Sequence, residues 1–464
     1  MAILRMWLLS KQSPIPRVRW PGGRPAPPRE PSGSLAAEQR EAEPRRPTSY
    51  NRCGMASIHP FRALRPLPAQ AAAVAAVPYD VVNAAEARAL AEGNPLSFLR
   101  VSRAEIELPP ETDPYADAVY AKAVANFARL RAAAPLVEEE APSLYVYRLR
   151  MGAHEQTGIA GCFSVDEYER DLILRHEKTR KDKEDDRTRH ILELRAQTGP
   201  VLLTYRAEPA VDAIVSRAMA ATPLFDVTAA DGIVHTVWRT DAADRDALVA
   251  AYTRIPALYI ADGHHRAASA MRARAVLREA ADGSAVEADT FLAVAFPDDQ
   301  MQVLPYHRVV KDLAGRTPAA FLDALRATHL VAPGTDTPAG QGEVATYLDG
   351  RWHALRLQPP APGAAPADQL DVSLLHDQVL APLLGIGDPR TDKRIDFVGG
   401  IRGPGAVAAL VDRGAAAVGF AMHPVSVDDL MAIADAGGIM PPKSTWFEPK
   451  LRDGLLTHLI DGAE

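Results

Sequence analysis

A short apolar strand that leads through a polar turn into an alanine-rich helix constrains this chain more than any other feature. Residues 257–260 (Ala-Leu-Tyr-Ile) form an apolar run that fits a buried strand. The pair Asp262-Gly263 then favours a tight turn, because glycine tolerates backbone angles that other residues avoid. The alanine-rich segment 265–280 predicts a helix, and its first turn contains Arg266.

The start of this helix is expected to bind an anion. Helix N-termini carry unpaired N–H groups and the positive end of the helix dipole. A cation such as Arg266 is unfavourable there, and a bound phosphate would resolve that conflict and give it a bidentate partner. His264 and His265 add donors, while Asp262 is suited to hold Mg²⁺ or to orient a histidine. We therefore predict a phosphate-binding turn; the alternatives are a simple helix cap or a metal site made by the two histidines.

Length and charge limit the class of protein. The chain has 464 residues, is 47% hydrophobic and carries a net charge of -7, which allows more than one domain. Two cysteines, Cys53 and Cys162, are too few for a disulfide framework or a cysteine zinc site, which favours a cytoplasmic location. No apolar run approaches the roughly 18 residues of a membrane-spanning helix. The basic stretch 175–189 is interleaved with acidic residues, so neither a nucleic acid nor a membrane is expected as a partner.

Four segments differ in their patterning. Residues 1–54 are rich in proline and contain ten Lys and Arg against four Glu, which predicts a disordered N-terminal extension. Residues 55–312 form an N-terminal and central α/β region that includes the turn. The Pro-, Gly- and Ala-rich residues 313–369 predict a linker or variable region, and residues 370–464 show a β-α-β-α-β order. The expected fold class is mixed α/β.

Three local patterns predict particular elements. Residues 77–82 and 98–101 are mainly apolar and predict strands. Asn83 is a good N-cap for a helix over 84–92. A hairpin is predicted within 144–165, where two apolar runs flank a short polar loop.

The segment 176–178 (His-Glu-Lys) supplies further candidate site residues. It follows the apolar residues 172–174 and is therefore expected at a strand or loop end, where functional sites are common. Glu177 is suited to act as general base for a substrate hydroxyl, and Lys178 to meet a phosphate. For the adjoining residues 180–189 the alternative is a solvated helix with i,i+4 ion pairs.

The segment 441–450 has two prolines and no clear periodicity, which predicts a loop. Its candidate phosphate contacts are Lys443, Ser444, Thr445 and Lys450. Asp80 and Asn94 are candidates for lining the same cleft, with helix capping and turn formation as the alternative. Neither a G-x-S-x-G motif nor a Walker A motif occurs, so nucleophilic hydrolysis and a P-loop are not indicated.

The turn Asp262-Gly263-His264-His265-Arg266 is similar to the phosphate-binding motif of the ParB/sulfiredoxin-like superfamily. Members of that superfamily include nucleotide-dependent chromosome-partition proteins, sulfiredoxins and free-serine kinases, and archaeal serine kinases carry a very similar turn. The resemblance implies a ParB/sulfiredoxin-like nucleotide-binding core whose ligand is ATP or ADP with Mg²⁺.

From Ile58 onward the chain also resembles the family called domain of unknown function 1015. The motifs that carry this resemblance occur in order at 77–81, 94–99, 176–179, 186–187, 262–266 and 440–450. Genes of this family often accompany those of phosphoserine-pathway enzymes, so the resemblance implies a serine-related activity.

These observations together predict a nucleotide-dependent kinase that phosphorylates a small hydroxyl metabolite, with free L-serine as the preferred acceptor and O-phosphoserine as product. The expected catalytic residues are Glu177, Asp262 and His265, and Asp262 would help to place Mg²⁺. The expected nucleotide contacts are Gly263, His264, His265, Arg266, Lys178, Lys443, Ser444 and Thr445. The alternatives are a nucleotide-binding sensor without net chemistry and a phosphoester hydrolase.

Overall fold

The computed structural model describes residues 55–133 and 136–460, and the predicted extension 1–54 lies outside them. The strands in chain order are β1 Ala63–Pro66, β2 Leu136–Glu138, β3 Tyr145–Met151, β4 His154–Ser164, β5 Ile173–Leu174, β6 Ala196–Gln197, β7 Val201–Tyr205, β8 Phe225–Thr228, β9 Val234–Arg239, β10 Leu258–Asp262, β11 Thr290–Pro297, β12 Gln302–Leu304, β13 Tyr306–Val310, β14 Leu330–Pro333, β15 Glu343–Leu348, β16 Arg351–Arg356, β17 Ile395–Gly399, β18 Val418–Ala421, β19 Trp446–Glu448 and β20 Thr457–Leu459.

The helices in chain order are α1 Pro68–Val74, α2 Ala84–Ala91, α3 Leu99–Ser102, α4 Asp117–Ala133, α5 Val165–Glu169, α6 Lys181–Leu194, α7 Pro209–Ala218, α8 Ala242–Tyr252, α9 His264–Ala280, α10 Pro318–Thr328, α11 Asp371–Leu375, α12 Ala381–Leu384, α13 Gly403–Asp412 and α14 Val427–Asp435. Among the described residues, no helix combines the length and apolar character that crossing a membrane requires.

An eight-stranded sheet in the order β5-β10-β7-β11-β4-β3-β9-β8 positions the predicted turn. Strand β10 pairs in parallel with β5 and antiparallel with β7, while β11 runs parallel to β7 and antiparallel to β4. Helix α9 leaves the end of β10 and packs on one face of the sheet through Ala267 and Ala270. The mixture of parallel and antiparallel pairs with packed helices confirms the mixed α/β class.

Both faces of this sheet are buried, because successive side chains of a strand point to opposite faces. Along β11, Phe291 and Ala293 belong to the apolar cluster that includes α9, whereas Leu292 and Val294 belong to a second cluster that also contains Phe420. The near-continuous apolar runs of these central strands follow from burial on both sides.

A six-stranded sheet in the order β14-β16-β15-β18-β13-β17 is formed by strands from the second half of the chain. The residues 313–369, for which a linker or variable region was expected, contain α10 and the strands β14, β15 and β16, and β15 pairs antiparallel with β18. The predicted C-terminal helices and strands are present. Strand β20, however, lies outside the six-stranded sheet and pairs with β1 and β6 in a four-stranded sheet. Residues 457–459 therefore return to strands of the N-terminal half of the chain.

Two local expectations were wrong and two were confirmed. The hairpin predicted within 144–165 is formed by the antiparallel pair β3 and β4. Residues 77–82 form turns and bends, and residues 98–101 lie largely in the short helix α3 rather than in strands. Phe98 is buried in an apolar cluster formed mainly by helices, so the apolar residues of this segment serve helix packing rather than a strand. Asn83 caps α2 as predicted, and Glu86 completes a capping box with it.

Candidate active site at the start of helix α9

The turn between β10 and α9 requires glycine at its centre. Gly263 is the N-cap residue of α9 and has a φ of 99° in the left-handed region. A Cβ atom at this position would lie 3.1 Å from Cζ and Nε of Arg266 and 3.4 Å from Cα of Val201. Both the backbone conformation and the close approach of Arg266 therefore exclude a larger side chain without strain.

Arg266 folds back under the turn and is paired within the protein. It is only 8% exposed, and its Nη1 donates to the carbonyl of Pro200. Its Nη2 lies 3.5 Å from Oδ2 of Asp262 and 3.6 Å from Oδ2 of Asp80. Burial lowers the pKa of Arg266, but the two carboxylates raise it above its ordinary value. The conflict between a cation and a helix N-terminus, which the sequence analysis assigned to a phosphate, is thus resolved by two aspartates.

Asp262 bridges two cations. Its Oδ2 also lies 3.3 Å from Nζ of Lys450, in the loop that the sequence analysis singled out. Burial would raise the pKa of Asp262, but Lys450 and Arg266 outweigh it and hold the pKa well below its usual range. The described residues contain no group of three or more His, Cys, Asp or Glu side chains arranged to hold a metal ion. Asp262 is therefore a permanent anion of the turn, and its role toward Mg²⁺ stays a prediction.

His264 and His265 hold the segment 176–180 against the start of α9. Nε2 of His264 accepts from the backbone N–H of His176 at 3.5 Å, and Nε2 of His265 accepts from the N–H of Arg180 at 3.0 Å. Burial lowers the pKa of both rings, so their neutral forms are favoured at neutral pH. An imidazole whose Nε2 is an acceptor carries its proton on Nδ1. These two rings thus position the neighbouring segment through the atoms that were expected to donate to phosphate.

Glu177 lies at the turn, where the sequence analysis required it. Its Oε2 is 3.7 Å from Nδ1 of His264, and its side chain is 56% exposed to the cleft. Partial desolvation by the surrounding protein raises the pKa of Glu177; Lys443 opposes this shift, and Asp262 and Asp80 add to it. A carboxylate with a raised pKa beside a neutral imidazole N–H is suited to accept a proton.

His176, which was not assigned a role, is buried between the turn and the 441–450 loop. It is 2% exposed, and its ring stands 4.5 Å from the ring of His264 in an edge-to-face contact. Its carbonyl accepts from the N–H of Met440 at 2.8 Å. Burial lowers the pKa of His176 to about 4, so it is neutral at neutral pH. His176 therefore joins the three segments that form the site.

A cleft of about 1060 Å³ opens in front of these residues. The polar side chains of the site that line it are Asp80, Glu177, Lys178, Lys183, His265 and Lys443. Lys178 and Lys443 make no ion pair with any carboxylate among residues 55–133 and 136–460. Cations that line the cleft without acidic partners among the described residues favour an anionic ligand.

The loop 441–450 reaches the site through some of its predicted residues and not through others. Lys443 lines the cleft, and Lys450 contacts Asp262. Ser444 is buried, and its hydroxyl donates to the carbonyl of Pro441 at 2.7 Å. This hydrogen bond closes a turn within the loop. Ser444 therefore does not face the cleft, and Thr445 does not line it either.

Sequence reasoning missed two charged residues. Arg187 stacks over the ring of Tyr79 at 4.2 Å and forms an ion pair of 2.7 Å with Asp186. Asp453 is buried three residues after Lys450, close to Arg266. Arg187 already lies in the motif at 186–187, and extending the motif at 440–450 by three residues would have included Asp453.

Fold and site thus define a mixed α/β protein with a charged cleft at a glycine turn between a strand and a helix. The chain belongs to the family DUF1015, described as a protein of unknown function, whose family model matches residues 58–373. A search of the curated proteins found no match.

Three solved structures are similar to this chain at low identity. A conserved hypothetical protein from Pyrococcus furiosus is 14% identical, with a TM-score of 0.31 over 65% of this chain and 95% of its own. A free serine kinase in complex with AMP is 13% identical, with a TM-score of 0.30 over 64% of this chain and 91% of its own. SbnI with a C-terminal truncation, from Staphylococcus aureus, is 12% identical, with a TM-score of 0.32 over 65% of this chain and 87% of its own.

Proposed function

We propose that this protein is a nucleotide-dependent kinase that phosphorylates a small hydroxyl metabolite, with free L-serine as the preferred acceptor. The observation that carries the proposal is the position of Glu177, 3.7 Å from His264 at the start of α9. The same cleft contains Lys178 and Lys443, which have no acidic partner within the described part of the chain. A base, a helix N-terminus and free cations are the parts that phosphoryl transfer to a hydroxyl needs.

The phosphates of ATP or ADP would lie between the start of α9 and the two lysines. Because Arg266 is paired with aspartates, the positive groups proposed to hold the phosphates are Lys178, Lys443 and the first N–H groups of the helix. Mg²⁺ commonly uses one or two carboxylates together with nucleotide phosphates, and Asp80 and Asp262 are the carboxylates that fit. The ion would supply charge neutralisation at the phosphates.

Glu177 would act as the general base. The hydroxyl oxygen of the acceptor attacks the terminal phosphorus, its proton passes to Glu177, and the shortened nucleotide leaves with the bond electrons. The Nδ1–H of His264 orients the carboxylate, and His265 holds the segment that carries it. In this proposal His265 is a positioning residue.

The test is incubation of the full chain with ATP or ADP, Mg²⁺ and a panel of hydroxy amino acids, with detection of the O-phosphorylated product. Glu177→Gln should lower kcat by about 100-fold or more while nucleotide affinity stays within a few fold. Glu155→Gln is the matched control, since Glu155 lies in β4 and does not line the cleft. Bound nucleotide with no product from any acceptor would refute the kinase and support the sensor without chemistry.

A further inference from the structure

A second, smaller cavity adjoins the cleft. It has a volume of about 40 Å³, and it shares Tyr79, Ser102, Arg187 and His190 with the cleft as lining residues. Because one water needs roughly 10–15 Å³ of such space, the cavity has room for a few waters or for a small polar molecule. The Arg187–Tyr79 stack belongs to the wall that the two spaces have in common.

Asp453 faces this inner cavity with a carboxylate that has no partner. The residue is 2% exposed and lines the cavity, yet its carboxylate makes no hydrogen bond or ion pair within the described part of the chain. An isolated buried carboxylate is costly, so such a group usually has a ligand or holds a proton. Gly199 leaves space for it, since a Cβ there would lie 2.8 Å from Oδ1 of Asp453.

Arg266 contributes an unmatched donor to the same space. Its Nε is buried and has no acceptor among the described residues, although its two terminal nitrogens are paired. The position of the missing Cβ of Gly199 lies 3.6 Å from Cδ of Arg266, so Asp453 and Arg266 approach each other across Gly199. The cavity thus presents one carboxyl group and one N–H donor that have no hydrogen-bond partner among the described residues.

We propose that the inner cavity binds the zwitterionic head of a small α-amino acid, with its ammonium group at Asp453 and its carboxylate at Nε of Arg266. The ligand must offer both a cationic donor and an anionic acceptor, and the cavity volume limits it to a small side chain. Such a ligand adds no net charge to a region where Arg266 and Arg187 are already balanced by aspartates. The role of this cavity as the acceptor pocket of the reaction rests on the proposed kinase function. Its role as an amino-acid binding site does not depend on that function.

Direct binding to the full chain tests the pocket without relying on catalysis. Isothermal titration calorimetry, with ADP present, compares L-serine with ethanolamine, which lacks the carboxylate, and 3-hydroxypropionate, which lacks the ammonium group. We expect L-serine to bind and each analogue to bind about 10-fold more weakly or worse, since each loses one charge-assisted hydrogen bond. Asp453→Asn should weaken L-serine by a similar factor and leave ADP affinity within about twofold.

Two further variants keep the test decisive. Gly199→Ala crowds the Asp453 carboxylate without changing its charge and should also weaken L-serine. Asp246→Asn, at an exposed aspartate paired with Arg245, should change nothing.

The outcomes separate the two proposals. If none of the three probes binds the wild-type protein, the cavity holds only water and the pocket is refuted. Equal L-serine affinity in the wild type, Asp453→Asn and Gly199→Ala refutes it as well. L-serine binding that both variants weaken, without any phosphorylated product, supports the pocket and refutes the kinase.

Discussion

Replacing Asp453 with asparagine should stabilise the protein at neutral and alkaline pH. Burial raises the pKa of Asp453 to about 7, and the nearby Arg266 lowers it only in part. In the unfolded chain an aspartate has a pKa of about 3.9. The folded state therefore keeps this proton to a higher pH than the unfolded state does. The stability that the group contributes is fully present below about pH 3.9 and is lost as the pH rises through 7.

The difference of about three pKa units corresponds to roughly 4 kcal/mol, at about 1.4 kcal/mol per unit. The wild-type protein should lose up to that amount of unfolding free energy between about pH 4 and pH 8 through this one carboxyl group. Asparagine has nearly the shape of the protonated acid and does not titrate. Asp453→Asn should therefore match the wild type within about 1 kcal/mol at low pH and exceed it by about 3–4 kcal/mol near pH 8.

Urea unfolding followed by tryptophan fluorescence at several pH values between about 4.5 and 8.5 measures this difference. Asp246→Asn serves as the control, because its exposed carboxylate should give no difference that grows with pH in this range. A difference between Asp453→Asn and the wild type that does not change with pH would refute the reasoning. It would mean that Asp453 is ionised in the folded state and balanced by its surroundings. A variant that gains stability and loses L-serine binding would show the exchange of stability for function that is common at ligand sites.

Two substitutions test the turn itself. Gly263→Ala should cost about 3–5 kcal/mol of unfolding free energy against about 1–2 kcal/mol for Gly93→Ala, since both glycines have positive φ but only the first places a Cβ 3.1 Å from Arg266. Equal costs in urea unfolding would contradict a close contact with Arg266. Asp262→Asn should cost about 3–5 kcal/mol at neutral pH, because it leaves Lys450 and Arg266 without their shared carboxylate. As the pKa of Asp262 is lowered on folding, its contribution is present above about pH 3.9 and is lost as the pH falls, so the cost should shrink in acid-unfolding experiments.

The strand, turn and helix around Gly263 could be predicted from the sequence because their causes are local. A buried strand, a glycine that tolerates positive φ and an alanine-rich helix are each determined within a few residues. The same holds for Asn83, whose capping of α2 depends on a residue three positions further on. The apolar residues 98–101 were harder, since a short apolar run has no period that separates strand from helix.

Only one partner of Arg266, Asp262, is local in sequence, and the other two could not be assigned from the sequence around the turn. Asp80 and Pro200 reach it from distant parts of the chain, and only the folded sheets and connecting loops bring them to the turn. Sequence reasoning identified the charge conflict at the helix start correctly, but the conflict alone does not say whether a ligand or the protein resolves it. Ser444 shows the same limit, because a hydroxyl that closes a loop and one that binds phosphate have the same sequence pattern.

The charged groups of the site are distributed differently in the cleft and in the inner cavity. At the turn, Asp80 and Asp262 neutralise Arg266, so the turn is a stable scaffold before any ligand binds. In the proposed function, anion recognition in the cleft falls to Lys178 and Lys443, which have no acidic partner among the described residues. Asp453 lies in the inner cavity, and its buried carboxylate makes no direct ion pair within the described part of the chain, so a cationic ligand group would complete it. In the proposed reaction, the phosphate donor would meet the lysines of the cleft, and the ammonium group of the acceptor would meet Asp453 in the adjoining cavity.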